Sequence, residues 1–461
     1  MIAEKQVNQS EVLPGPITRV DEYIFAPFNT YTFLNLDDVM FSSRTAIQNK
    51  LVKHLDGKDY EDERIRCNVR WGVEDSNNVK KAKGVFANVG NENSLIYASL
   101  ECLEGNLVIH ESIGEIFKGG VLEFEDVRFY FQESGVGTCS AKISITHPGM
   151  SLKELEKVSE ELNRLFKVYF EKLCYVLSED YIEAVKDQRI QCFSLDFMPV
   201  VTKEDIGEEC IPWTHRVYHI HGDELFELEN PGQPFQYILT PSKREDIQDI
   251  SIYENRYIYF GWGHSIILTK DGENDYFQTK TNVHEYIRLI QISQSNWQCF
   301  DLLTKIVEMG RVSFSSSADK KKIKKLKSDI LTIRYFNRYV DQILDNASSI
   351  KVTFDTEKRN LLKELNSRWQ IAEIIENIKQ KMLLVEELLD FLYYRQKEHR
   401  EEKLSTVLFC MAVLSISQII AILIDYSQDI FQYESLTKII LLCNGVFITI
   451  LTILIFFRFK N

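Results

Sequence analysis

Proline and glycine are unevenly distributed along this chain of 461 residues. All nine prolines lie at or before Pro241, and neither proline nor glycine occurs at positions 311–444. These residues are the strongest local breakers of helices. Their absence predicts a purely helical second part after a mixed, turn-rich first part, with the boundary near Gly310.

Several functional classes lack support in the sequence. None of the nine cysteines forms a CxxC pair, so we expect reduced thiols and no structural zinc site. A net charge of −14 argues against direct binding of nucleic acid, which needs a basic surface. The GxxxxGK[ST], HExxH and GxSxG motifs are absent. We therefore predict a protein that is not an enzyme.

Two runs near the C-terminus lack both charge and proline. Residues 404–424 and 439–457 contain no Asp, Glu, Lys, Arg, His or Pro. At 1.5 Å per residue they would reach about 31 and 28 Å, the thickness of the hydrocarbon core of a bilayer. The runs predict a hairpin of two transmembrane helices joined by an outer loop at 425–438. The alternative is a buried helical hairpin of a soluble protein.

The charges around these runs predict their orientation. The hairpin is flanked by more bases than its loop contains, which places both termini in the cytoplasm. Residues 1–5 do not resemble a cleaved signal peptide. We therefore expect a multi-pass protein of the inner or plasma membrane with a large cytosolic part. The flanking bases are Arg395, Lys397, Arg400, Lys403, Arg458 and Lys460, against Lys438 in the loop.

Residues 1–310 are predicted to form a cytosolic α+β sensor domain with helices over a mostly antiparallel sheet. Short β-type runs dominate from Tyr23 to Thr146, and a hairpin is expected around a loop at 133–137. Apolar spacings of three and four predict a helix over 152–187, with Ser151 and Glu154 as its capping box. The strand-like runs are residues 23–28, 84–89, 94–100, 106–110, 121–131, 140–146, 191–201, 216–221 and 256–269.

A second helix of this domain is predicted over residues 282–309, with Gly310 as its C-cap. Residues 311–403 are then expected to form a helical stalk. It begins with a helix at 319–348 and continues in one helix from about 355 into the first span. The alternative is a break at 393–403.

A heptad pattern in the stalk predicts a coiled-coil seam that needs a partner. That partner is the 319–348 helix, another subunit, or both. The seam consists of Ile371, Ile375, Ile378, Met382, Val385, Leu389 and Leu392.

A stripe on the first span carries the candidate pore-lining residues. Because polar side chains within a membrane usually face the bundle interior, Ser415 and Gln418 are predicted to line a water path. The alternative is that they only form hydrogen bonds between helices. Asn444 and Gly445 are assigned to helix packing. The stripe consists of Leu408, Met411, Ser415, Gln418, Ile422 and Asp425.

A histidine-rich strand is the candidate ligand site. Alternation would place His215, His219 and His221 on one face of the strand. Three interpretations remain open: a metal site, a nucleotide pocket in which Arg216 pairs with phosphate, or ordinary strand residues. The candidate residues are Trp213, His215, Arg216, His219, His221, Trp262 and His264.

The helical part resembles the CorA family of divalent-cation channels and transporters. That family joins a cytosolic α/β domain to a very long helix, a short acidic outer loop, a second span and a short basic tail, here residues 458–461. Its Tyr-Gly-Met-Asn signature corresponds to Tyr426-Ser427-Gln428-Asp429, with Asp429 in the place of Asn and no Gly or Met. The family's following Pro-Glu-Leu corresponds to Tyr433-Glu434-Ser435-Leu436, without the Pro. The resemblance thus makes Tyr426, Asp429 and Glu434 the candidate pore mouth.

The resemblance implies a homopentamer with the first span lining a pore, and a divalent cation such as Mg²⁺ at its mouth. Divergent CorA-like proteins beside CRISPR systems are thought to be antiviral effectors switched by a nucleotide second messenger. The expected function is a ligand-gated CorA-like ion channel of this kind, with a small nucleotide as ligand. The alternatives are a magnesium or other divalent-cation transporter and a membrane-anchored scaffold without a pore.

Overall fold

In a computed structural model, the chain divides into two compact units. One comprises Met1–Ser313 and Tyr335–Leu383, and the other comprises Phe314–Arg334 and Leu384–Asn461. The described residues are 17–35, 44–56, 68–74, 94–101, 117–192, 210–222, 224–228, 230–239, 247–252, 254, 256–270, 280–317, 323–349, 356–431, 438–440, 442–448 and 450. The predicted strands at 84–89 and 106–110 lie outside these residues.

An eight-stranded sheet forms the centre of the first unit. Its order is β2-β3-β4-β5-β1-β6-β8-β7, and every neighbouring pair is antiparallel except β6 and β8. The structure therefore has the mixed α/β N-terminal domain that was predicted. The strands are β1 (Ile17–Phe33), β2 (Asn68–Gly72), β3 (Ile96–Glu101), β4 (Val121–Phe131), β5 (Ser134–Met150), β6 (His215–His221), β7 (Arg256–Phe260) and β8 (His264–Thr269).

Helices cover both faces of the sheet. The helices of the described residues are α1 (Arg44–Leu55), α2 (Leu152–Asp187), the short α3 (Gln236–Leu239), α4 (Lys280–Ser317), α5 (Ile323–Ser349), α6 (Thr356–Arg368) and α7 (Ile371–Phe431), of which α2 and α4 contact β1 from its two faces. On one face, the Ser159 hydroxyl of α2 donates a hydrogen bond to Glu22 of β1. On the other face, the Gln298 amide of α4 donates to the Asn29 side chain at 2.8 Å. Side chains that alternate along β1 therefore face different helices.

The β4–β5 hairpin is tighter than predicted, because β5 begins at Ser134 and includes most of the expected loop. Gly135 has φ +78°, a region that favours glycine. A side chain at Gly137 would collide with the Phe28 ring and the Tyr130 carbonyl. Glycine inside this strand thus permits close packing of its neighbours rather than a longer turn.

Helix α2 has the bounds and the cap that were predicted. The Ser151 hydroxyl accepts a hydrogen bond from the Glu154 backbone N–H at 3.3 Å, and the Glu154 carboxylate accepts one from the Ser151 N–H at 2.9 Å. Both bonds satisfy donors that the first turn of a helix leaves without a partner. Its apolar side, including Leu155, Leu162 and Phe166, is fully buried in the main core.

Helix α4 corrects one prediction. It continues through Gly310 to Ser317, so Gly310 is not its C-cap. A single glycine in a helix costs about 1 kcal/mol relative to alanine. The neighbouring apolar residues Ile306 and Val307 are buried, and such packing outweighs that local preference.

Helices α6 and α7 correct the position of the break in the stalk. The break lies at Trp369 and Gln370, and α7 then continues without interruption through 393–403 to Phe431. Gln370 has φ +51°, which ends α6. Trp369 is buried and makes an edge-to-face contact with the Phe260 ring at 5.4 Å between centroids. Tertiary packing of one tryptophan thus accompanies a break that has no glycine or proline.

The heptad seam of α7 is covered by the chain itself. Ile378, Met382, Val385, Leu389 and Leu392 are all buried. Ion pairs accompany this packing: in the first unit, Lys381 of α7 lies 3.7 Å from Glu308 of α4. In the second unit, Arg334 of α5 lies 2.7 Å from Glu386 and 3.3 Å from Asp390 of α7. Of the partners predicted for the seam, the structure thus shows the helix expected at 319–348, which is α5, and it adds α4, which was not predicted.

Candidate functional site

The histidine-rich strand β6 presents its residues to two different faces of the sheet. Arg216 and Tyr218 contact α2, because their side chains reach Glu156 at 2.9 and 2.7 Å. His219 and His221 lie on the opposite face with Asp21 of β1. A strand alternates its side chains in this way. The structure therefore does not bring Arg216 together with His219 and His221 in one pocket.

The face toward α2 holds a buried polar cluster of Glu22, Glu156, Ser159, Arg216 and Tyr218. The Arg216 guanidinium donates to the Ser159 hydroxyl at 2.8 Å and to the Glu156 carboxylate at 2.9 Å. Burial raises the pKa of Glu22 to about 7, although the positive charge of Arg216 and the hydrogen bond from Ser159 act against it. Arg216 is thus occupied within the domain, and a phosphate would have to displace these contacts.

His264 of β8 lies beside this cluster and contacts the Arg216 guanidinium. Its ring stacks on Tyr218 at 6.1 Å between centroids. Burial first, and then the positive charge of Arg216, lower the pKa of His264 to about 3. His264 is consequently neutral at physiological pH, which suits a packed interior position.

Trp213, His215 and Trp262 occupy three different surroundings. The Trp213 indole donates to the Gln294 side chain of α4 at 2.9 Å. His215 is buried, with Nε2 2.8 Å from the Ser265 hydroxyl, and burial lowers its pKa to about 3. Trp262 is half exposed in the β7–β8 turn. A side chain at Gly261, in the same turn, would collide with the Leu239 carbonyl. This turn therefore needs glycine for packing.

The opposite face contains a group of potential metal ligands. One ligand atom each from Asp21, His219 and His221 lies within 4.8 Å of the others. Asp21 Oδ2 is 3.4 Å from His221 Nε2 and 3.9 Å from His219 Nδ1. Burial acts to raise the pKa of Asp21. Hydrogen bonds from His221 and Ser144 outweigh it and hold this pKa well below its usual value, so the carboxylate is charged.

Asp21 was missed by the sequence analysis. It is separated from His221 by 200 positions and lies in a strand of mostly apolar residues. No local spacing joins it to the histidines. Only the pairing of β1 with β6, which places Asp21 opposite His219, could have indicated it.

The candidate pore stripe lies on α7 in the second unit. Leu408, Met411 and Ile422 are 57, 59 and 68 % exposed. The Ser415 hydroxyl donates to the Met411 carbonyl of its own helix at 2.9 Å. Gln418 and Asp425 are exposed as well. The stripe is therefore exposed in the single chain. Exposed apolar surface of this kind is typical of residues that contact lipid or another subunit.

A different serine forms the contact between helices in this unit. Ser417 is buried, and its hydroxyl donates to the Asn444 side-chain oxygen at 3.1 Å. The Asn444 amide donates in turn to the Ser417 carbonyl at 3.3 Å. Asn444 lies in a shorter apolar helix, Lys438–Ile448. Small and polar residues commonly join helices within membranes in this manner.

In the part of the chain that is described, one helix is long and apolar enough to cross a membrane. This helix is α7, and 6 % of its most apolar stretch is buried. The predicted second span, 439–457, is only partly within the described residues. The loop residue Glu434 and the tail lie outside them. Tyr426 is exposed on α7. Asp429 belongs to the same helix, but its side chain is outside the description.

Comparisons with known proteins identify no family. No family profile matches the chain, and no curated protein matches it. Among solved structures, it is similar to "The complete structure of CorA magnesium transporter from Methanocaldococcus jannaschii", with 10 % sequence identity and a TM-score of 0.25. The similarity covers 56 % of this chain and 92 % of that chain. A TM-score this low does not establish a shared fold.

Proposed function

We propose that the chain is a subunit of a homo-oligomeric CorA-like membrane channel for cations. The observation that carries this proposal is α7, a helix of 61 residues. The apolar seam of its first part is buried, whereas residues 404–424 are apolar and mostly exposed. Large exposed apolar surfaces on proteins mark contacts with lipid or with other subunits.

Residues 404–424 and 439–457 are proposed as two spans, with both termini in the cytoplasm. Two spans cannot enclose a water path by themselves, so several subunits must surround a common axis. In the proposed pentamer, α7 of each subunit lines the centre with the stripe that contains Ser415 and Gln418. Leu408 and Ile422 would form apolar constrictions that gate by dewetting.

The outer mouth is proposed to attract cations through carboxylates. Asp425 is exposed near the end of the apolar run, and Asp429 follows one helical turn later. In an oligomer, each becomes a ring of negative charge, which favours cations over anions. Tyr426 and Glu434 complete the proposed mouth.

The first unit is proposed to sense a ligand and to shift the equilibrium between open and closed pores. Such a ligand must bind the two arrangements unequally. A nucleotide second messenger is the proposed class of ligand, on the basis of the resemblance of the helical part to antiviral CorA-like effectors. Mg²⁺ itself is the alternative gating ligand.

Cysteine substitution in liposomes tests the pore. In a background with Cys410 and Cys443 replaced by serine, Ser415→Cys and Gln418→Cys are expected to react with a small charged thiol reagent and to lose cation flux. Ile420→Cys, on the opposite side of the helix, is the matched control and is expected to keep its flux. Equal reactivity at all three positions would contradict the proposed lining.

Flux should also be recorded with and without Mg²⁺ and cyclic or linear oligonucleotide messengers on the cytosolic side. A response to a nucleotide supports the proposed ligand, and a response to Mg²⁺ alone supports the alternative. Absence of flux with every ligand and at every applied potential would refute the channel. The chain would then be a membrane-anchored scaffold.

A further inference from the structure

We propose that Asp21, His219 and His221 bind a divalent transition-metal ion of the zinc class. The three residues belong to two neighbouring strands of the first unit. They take no part in the proposed pore, so this site is independent of the proposed function.

The backbone of the sheet brings the ligands together. His219 and His221 are separated by one residue on β6, so their side chains share a face of the strand. Asp21 lies directly opposite His219 in the antiparallel pairing of β1 and β6. Directly opposed side chains begin about 5 Å apart at Cβ, which lets a carboxylate and an imidazole approach one point.

The distances approach those of a tetrahedral site. Zinc bonds of about 2.0–2.1 Å place neighbouring tetrahedral ligands about 3.3 Å apart. Asp21 Oδ2 lies 3.4 Å from His221 Nε2 and 3.9 Å from His219 Nδ1. All three ligand atoms lie within 4.8 Å of one another, so the side chains have to draw closer together for one metal ion to bind all of them. The fourth position remains for water or another ligand.

The surroundings orient the three ligands. The Thr269 hydroxyl lies 2.9 Å from His219 Nε2 and 3.4 Å from His221 Nδ1, the ring nitrogens that point away from Asp21. An imidazole that binds a metal through one nitrogen carries a proton on the other, and a hydroxyl oxygen can accept two such protons. The Ser144 hydroxyl donates to Asp21 Oδ1 at 2.8 Å, which leaves Oδ2 directed toward the histidines.

The chemistry of the ligands selects the metal. Two imidazoles and one carboxylate suit zinc and neighbouring first-row metals, whereas Mg²⁺ prefers sites made of oxygen ligands. The nearby positive charge of Lys142 is offset by its ion pair with Glu125. The site is therefore distinct in kind from the carboxylates proposed at the pore mouth. Without a metal, the same residues would form a network of hydrogen bonds between imidazoles and a carboxylate.

Zinc binding to the purified full-length protein tests the site. After treatment with a chelator, the wild type is expected to bind one Zn²⁺ per chain and to keep it in a large excess of Mg²⁺. His219→Ala and Asp21→Asn are each expected to weaken binding by at least 100-fold. His147→Ala removes a histidine elsewhere on the same sheet and is expected to bind zinc like the wild type.

A second pair of variants separates a metal site from a purely structural network. Thr269→Val removes the hydroxyl and is expected to weaken zinc binding by about 10–100-fold, whereas Thr269→Ser is expected to restore it. X-ray absorption should show nitrogen and oxygen ligands at about 2.0–2.1 Å in the wild type. The two Thr269 variants test the metal site even if the His219 and Asp21 variants fail to fold.

Three results would overturn the proposal. The first is a wild type that binds no zinc, which would leave only the network of hydrogen bonds. The second is unchanged binding in His219→Ala, which would place the zinc elsewhere. The third is equal affinity in Thr269→Val and Thr269→Ser. None of them depends on whether the protein conducts ions.

Discussion

Glu357 is expected to be among the most sensitive positions of the first unit. Its carboxylate accepts hydrogen bonds from the Arg256 guanidinium at 2.5 and 3.0 Å, from the Tyr286 hydroxyl at 2.6 Å and from the Ile252 N–H at 3.0 Å. The side chains of Arg256 and Glu357 are 5 and 0 % exposed. Helix α6 is thereby tied to β7 through a fully buried ion pair.

The substitution Glu357→Ala leaves the buried charge of Arg256 without its partner. Breaking such a pair costs about 3–5 kcal/mol, and each buried donor left without an acceptor adds about 1 kcal/mol. With the Tyr286 hydroxyl and the Ile252 N–H as the two further donors, we expect a loss of about 5–7 kcal/mol of unfolding free energy. At about 2.1 cal/mol/K per residue over the roughly 360 residues of the first unit, this loss lowers the melting temperature by about 7–9 °C.

Thermal unfolding of the purified protein, followed by intrinsic fluorescence, provides the measurement. The double variant Arg256→Met with Glu357→Leu removes both charges and is expected to recover most of the lost stability, because an apolar pair can replace a buried ion pair. Glu364→Ala on the same helix is the matched control. Its partner Arg368 forms an i,i+4 pair at 2.6 Å, a type worth about 0.3–0.5 kcal/mol. If Glu357→Ala and Glu364→Ala have the same melting temperature, the predicted cost of the buried charge is refuted.

Two further predictions concern single hydrogen-bonding side chains. Ser151→Ala removes the cap of α2 and is expected to lower stability by about 1 kcal/mol, whereas Ser151→Thr keeps the hydroxyl and should preserve the cap; thermal unfolding of both variants checks this. Ser417→Ala removes the bond to Asn444 and is expected to cost about 0.6 kcal/mol of helix association, with Ser415→Ala as the control. A denaturing-detergent titration of the reconstituted protein measures the second effect, and an equal loss in both variants would contradict it.

Local patterns predicted those elements whose stability depends on neighbouring residues. The bounds of α2 and its capping box follow from apolar periodicity and from two polar residues three positions apart. The seam of α7 follows from its heptad spacing. Two predictions were wrong because tertiary packing determines these positions. Helix α4 was predicted to end at Gly310 but continues past it. The helix predicted to run without a break from about residue 355 is interrupted at Gln370, next to the buried Trp369.

The sequence alone determined which stretches are apolar, which are helical, and which strand carries clustered histidines. These properties depend on composition and on the periods of helices and strands, which extend over only a few residues. The tertiary structure decided which side chains meet. Pairing of β1 with β6 brings Asp21 to His219 and His221, and strand alternation directs Arg216 to the other face, toward α2. The contacts of a site that joins distant segments depend on strand register, and no local pattern specifies that register.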